Sequence, residues 1–152
     1  MPRIYMDNTS QTTIMDLESL LPLLDKAIAS RRTLTDSSHE ISFRLFNGFT
    51  EGFPDLQLDI FGRTLVVHNY TDDPTQNQEL IQSAVDHLRS SLNWLRAGII
   101  KTRSGKTQQQ KNGLLIFGDQ PDTRIKEHGI WYAINLTLNR DTSFYLDRKS
   151  VV

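Results

Sequence analysis

Lys101, Arg103, Lys106 and Lys111 form the densest basic group in the chain. The chemistry such a group performs is contact with phosphate. If residues 97–103 (AGIIKTR) are extended, Lys101 and Arg103 fall on one face of the strand, because side chains alternate with period 2. Two cations about 7 Å apart on one face can meet successive phosphates. The same two cations can equally stand in solvent. The wider segment from His87 to Gly118 holds six Lys/Arg and no carboxylate. The remaining 11 of the 17 basic residues are set against all 18 acidic ones, although the net charge is only −1. A positive stretch on an otherwise acidic chain is the pattern of a local phosphate-facing surface. Trp94 and Phe117 lie nearby in sequence and suit either base stacking or a core.

Other chemistries find no residues to perform them. Ser104-Gly105-Lys106-Thr107 resembles the tail of a phosphate loop, but the glycine required five residues before Gly105 is replaced by Ile100. No G-x-G turn of the kind that seats a nucleotide cofactor occurs, and the eight glycines are scattered. The four histidines (His39, His68, His87, His128) lie far apart and read as surface or packing residues, so no metal site is expected. Without cysteine there is no disulfide, thiolate ligand or thiol nucleophile. Asp72-Asp73 precedes a helical pattern and reads as a cap in the helix dipole. No catalytic residue emerges.

The elements that must position these residues follow from hydrophobic period. Leu17, Leu20, Leu21, Leu24, Ala27 and Ile28 predict a helix over 17–32, capped by Asp16 and ending in Arg31 and Arg32, with Pro22 suited to a first turn or a break. Ile41, Phe43 and Leu45 alternate with Ser42, Arg44 and Phe46, as in a strand. Asn47-Gly48 and Gly52-Phe53-Pro54-Asp55 are turns. Leu56, Leu58 and Ile60 mark a second strand, joined through Gly62-Arg63 to a third over 64–70 as an antiparallel hairpin. The stripe from Leu80 to Leu95 predicts a helix over 75–95, with Gly98 as its stop. A strand over 97–103, a polar loop over 104–112, a strand over 114–117 and two strands across His128-Gly129 complete the pattern.

Strands cluster here instead of alternating with helices. The expected class is α+β: a mixed, mostly antiparallel sheet with one long covering helix and an N-terminal helix. At 152 residues one principal domain is expected. It divides into an arm and helix over 1–35, a substrate-side α+β domain over 36–140, and a hinge over 141–152. No apolar run reaches the ~18 residues of a membrane span, and MPRIYMDNTS lacks a signal core. A cytoplasmic protein is expected.

The segment Arg44–Val67 (RLFNGFTEGFPDLQLDIFGRTLVV) resembles a motif of the S-adenosylmethionine-dependent methyltransferases related to the 23S ribosomal RNA cytosine-5 methyltransferase. Arg44, Leu45, Asn47, Gly48, Gly52, Pro54, Asp59 and Gly62 carry the match. Asp141–Asp147 (DTSFYLD) resembles the family's stretch ahead of its Rossmann-like catalytic domain, with Asp141 and Ser143 where the family more often has Lys and Gly. The resemblance implies a domain that helps hold RNA, with Arg44, Lys101, Arg103 and Lys106 as RNA-binding candidates. It also implies a hinge whose Phe144, Tyr145 and Asp147 lie near the methionine end of the S-adenosylmethionine cofactor. The cofactor-binding half would follow Val152, so the fragment alone is expected to be inactive and a poor binder of that cofactor. Its partner is then RNA, expected to be ribosomal, with no membrane. Alternatives are a free-standing RNA-binding module, or a dimerisation domain that self-associates through exposed apolar surface to form a homodimer.

Overall fold

The period-2 pattern of residues 42–69 produces three neighbouring strands, as expected. The structure, a computed structural model, describes residues 15–35, 37–73 and 75–137. In chain order the elements are α1 (Leu17–Ser30), β1 (Ser42–Asn47), α2 (Gly48–Glu51), β2 (Leu56–Phe61) and β3 (Thr64–Asn69). They continue as α3 (Gln78–Ser91), β4 (Ala97–Thr102), α4 (Gln108–Asn112), β5 (Leu114–Phe117), β6 (Arg124–Glu127) and β7 (Ile130–Ala133). A 3₁₀ turn (Arg32–Leu34) follows α1. The class is α+β. The main sheet has the order β1-β2-β3-β4-β5, and β6-β7 forms a separate two-stranded sheet. All pairs are antiparallel except β3 with β4, which are parallel because α3 crosses between them.

The two faces of the main sheet have different fates. Phe43, Leu56, Leu58, Ile60, Leu65 and Val67 share one face and pack against Leu20, Leu24 and Ala27 of α1 and Ile81, Ala84, Val85 and Leu88 of α3. Each fully buried Leu, Ile, Val or Phe among them contributes about 1.5–3 kcal/mol. His87 Nε2 lies 2.7 Å from Asp25 Oδ1 and ties the two helices together. On the opposite face Phe61, Val66 and Ile99 pack against Ile125, Ile134 and Leu136 of the β6–β7 hairpin and the segment after it. The hairpin turns through His128 and Gly129, both at positive φ, as a tight two-residue turn requires. Asp122 docks it: its Oδ1 accepts from the Thr64 hydroxyl at 2.6 Å and the Arg63 N–H at 3.1 Å.

Several boundaries differ from expectation. Asp16 does cap α1, accepting from the Ser19 N–H at 2.9 Å, and the helix continues through Pro22. It ends at Ser30, so Arg31 and Arg32 lie outside its last turn. α3 is shorter than the apolar stripe: Leu92 and Leu95 pack against the core from beyond its end. Gly98 is no helix stop. It lies within β4, where the Phe117 ring occupies the space a side chain would need. Asp73 does not cap α3 either. It accepts from the Thr75 N–H and hydroxyl in a local turn, and α3 starts after Asn77 at φ 68°. The polar loop contains α4, opened by a reciprocal capping box between Thr107 and Gln110. Among the described residues, no helix is long and apolar enough to cross a membrane.

Candidate nucleic-acid interface

The face opposite the helices carries a row of polar side chains beside the part that the hairpin covers. A bulge in β1 borders it. Arg44 pairs with Asp59, but Phe46 pairs with Leu58, leaving Leu45 as the extra residue. The bulge turns Phe46 into the helix-side core and leaves Arg44 on the face of Asp59. His68 stands opposite Gln57, diagonal to Asp59, and Lys101 is its register partner on β4.

These residues form a bonded network. Arg44 Nε donates to Asp59 Oδ1 at 2.9 Å. Asp59 Oδ2 lies 3.0 Å from His68 Nε2 and accepts from Gln57 Nε2 at 3.3 Å. Burial alone would raise the Asp59 pKa. The hydrogen bond with His68, the charge of that ring and the Arg44 guanidinium outweigh it and hold the carboxyl below its ordinary range. The His68 ring stacks near-parallel on Tyr70 at 5.9 Å, and the Arg103 guanidinium lies 5.6 Å from the Tyr70 ring on β3's exit.

Beyond this network, where the parallel strands β3 and β4 end, lies a cleft of about 400 Å³. Its walls include Asn47, Phe49, Asp55, Tyr70, Asp72 and Arg103. The α2 turn that carries Phe49 is locked in place. Arg31 makes a two-pronged ion pair with Glu51, at 2.8 and 2.6 Å, and its Nε donates to the Arg44 carbonyl at 2.9 Å. Glu51 also accepts from the Asn47 N–H at 2.8 Å. Desolvation works against its charge, but the Arg31 and Asn47 bonds still hold its pKa low. Gly48 packs so closely on the Phe53 and Leu56 carbonyls that no side chain fits there.

The RNA-binding candidates separate into two kinds. Arg103 and Lys106 are exposed, beyond the end of β4. Lys106 also lies near Asp73. There the Thr75 N–H and hydroxyl, with a smaller contribution from the Lys106 charge, lower the Asp73 pKa. Lys101, by contrast, is only 2% exposed, which corrects the expectation that it would stand beside Arg103 as a second surface cation. Arg44 is committed to Asp59. Phe144, Tyr145 and Asp147 lie outside the described residues. Trp94 stacks on His39 at 4.0 Å, and Phe117 lies under the Arg89 guanidinium at 4.2 Å, so both are packing residues. His68 is no surface residue, and its link to Asp59 was missed. Phe49 was missed too, although a large apolar residue between Gly48 and Gly52 is an available signal.

The β3–α3 connection contains no glycine, and Gly105 on the β4–α4 connection is packed against Gln110. Among the described residues, no group of three or more His, Asp or Glu could hold a metal ion.

No family model matches the chain. It is similar over 149 residues to the ribosomal RNA large subunit methyltransferase I of Alteromonas mediterranea, at 24% identity, covering 97% of this chain and 37% of that protein. The enzyme of the same name from Yersinia pseudotuberculosis is 25% identical over 146 residues, covering 91% and 35%. The chain thus spans about a third of the length of the relatives it matches. Its fold is shared with a Streptococcus mutans protein described as a SAM-dependent methyltransferase (TM-score 0.71, 18% identity, 92% of this chain and 35% of that one). A second solved structure, of a protein described as a methyltransferase and complexed with SAH, aligns at TM-score 0.73 and 18% identity, with the same coverage.

Proposed function

We propose, with that likeness as premise, that this chain is the acceptor-side domain of a SAM-dependent ribosomal RNA methyltransferase. The observation that carries the reading is similarity along nearly the whole chain to ribosomal RNA methyltransferases of about three times its length. The Arg44–Gly62 motif, which resembles that of methyltransferases related to the 23S ribosomal RNA cytosine-5 methyltransferase, supports the same reading. The part of the described residues is to grip and orient RNA beside the residues that bind the cofactor. Phe144, Tyr145 and Asp147 would meet the methionine end of the cofactor. In the bound complex Arg103 and Lys106 meet phosphate at the carboxyl end of β4. Arg44 and Lys101 act beneath them, holding the sheet face that sets the position of Tyr70 and Arg103.

Titration of the 152-residue chain with a fluorescent single-stranded ribosomal RNA segment at two salt concentrations tests this reading. Affinity should fall with salt. Arg103→Ala and Lys106→Ala should each reduce the log–log salt slope by about 0.7, the share of one phosphate contact on a single strand. Lys101→Ala should leave the slope unchanged. Absence of any affinity at low salt would remove the RNA reading.

A further inference from the structure

We propose that the cleft at the ends of β3 and β4 seats one unstacked nucleobase bearing an exocyclic amino group. Phe49 is its stacking face, and the Asp55 and Asp72 carboxylates accept its N–H groups. The proposal rests on the RNA reading above and names the nucleotide class that this surface selects.

The first support is Phe49. It is 80% exposed, more than any other large hydrophobic residue among those described. Leaving a whole aromatic ring in water forgoes its burial energy. Yet the turn that carries it is not loose. Arg31 clamps Glu51 from one side, and Gly48 is wedged against two backbone carbonyls on the other. A ring held open on a rigid turn is a preorganised stacking platform, and stacking on such rings is how single-stranded nucleic acid is commonly gripped.

The second support is the polarity of the walls. Asp55 and Asp72 both line the cleft, and among the described residues neither carboxylate has a hydrogen-bond or ion-pair partner. An ionised carboxylate only accepts, so its complement is a donor-rich edge. Cytosine, adenine and guanine each present an amino group. Uracil replaces that amino group with a carbonyl oxygen and keeps a single N–H at N3, so the carboxylate facing the carbonyl would be left unpaired. Arg103, on the same rim, supplies the cation for the attached phosphate. A volume of about 400 Å³ lies in the range of small-ligand sites.

The decisive comparison uses two fluorescent RNA octamers, all-cytidine and all-uridine, which differ in the base edge and hardly in size. The intact chain should bind the cytidine octamer about tenfold more tightly, the discrimination expected when a donor edge is exchanged for an acceptor. Phe49→Ala should weaken cytidine-octamer binding about tenfold with an unchanged salt slope. Because Phe49 is exposed, that variant should retain the wild-type circular dichroism and melting temperature. The double variant Asp55→Asn/Asp72→Asn should abolish the preference for cytidine. If both octamers bind equally and Phe49→Ala changes nothing, the cleft assignment is overturned while the RNA reading stands. If neither octamer binds at low salt, both fail.

Discussion

Asp59 offers the sharpest test of the structure, because three donors converge on one buried carboxylate. Its side chain is 2% exposed, with Arg44 at 17% and His68 at 8%. Replacing it with alanine deletes two charge-assisted bonds, from Arg44 at 2.9 Å and with His68 at 3.0 Å, and the weaker Gln57 contact. Bonds of this kind contribute about 1.5–3 kcal/mol each, so complete loss is bounded at about 3–6 kcal/mol. Arg44 retains some access to water and recovers part of this, which favours the lower end, about 3 kcal/mol. On a domain stability of about 5–15 kcal/mol, that is a large fraction. Asp59→Asn keeps the shape and one acceptor and should cost less, about 2 kcal/mol.

The assay is urea unfolding followed by circular dichroism, where the midpoint should fall with little change in slope. Acid supplies an independent check. The folded-state pKa of Asp59 lies below its ordinary 3.8. Its contribution is therefore fully present above that value and is lost as pH falls through the lower folded pKa. Wild type should lose stability in this acid range more steeply than Asp59→Asn. A midpoint unchanged by Asp59→Ala, or identical acid profiles for wild type and Asp59→Asn, would refute the network.

Gly48→Ala should destabilise by at least about 3 kcal/mol, since the added carbon meets the Phe53 and Leu56 carbonyl oxygens, which belong to backbone and cannot rotate away; thermal unfolding measures it. Asp122→Ala should cost about 2–3 kcal/mol by removing the acceptor for the Thr64 hydroxyl and Arg63 N–H. Amide hydrogen exchange should then show faster opening in β6–β7 than in the main sheet, and equal protection would show that the hairpin does not depend on this anchor.

The fold was legible wherever one period ran unbroken. Leu56, Leu58 and Ile60 alternate cleanly and form β2, and Asp16 caps the helix its position announced. Boundaries failed where packing imitates helical spacing. Leu92 and Leu95 extend the α3 stripe because they reach the same core, although their backbone has already left the helix. α4 was overlooked although Thr107 and Gln110 stand at capping-box spacing, because its residues are polar and carry no stripe. The site was less legible than the fold. Whether Arg44 meets Asp59 depends on a one-residue bulge at Leu45, and no local pattern fixes such a bulge.

The basic residues show why charge density along the sequence is an incomplete guide to a binding surface. Lys101 lies within β4, and Arg103 follows just past the strand's end. Lys101 stands beside His68 in mid-sheet and is buried, whereas Arg103 is exposed and lines the cleft. One short stretch of chain therefore yields an interior cation and a rim cation separated by a single residue. The interior cation belongs with Asp59 and Arg44 in shaping the floor, and the rim cation with Phe49 and Tyr70 in shaping what the floor presents. Truncating the first should register as lost stability and the second as lost phosphate contact. That division follows from where β4 stops and not from anything in the composition of the segment.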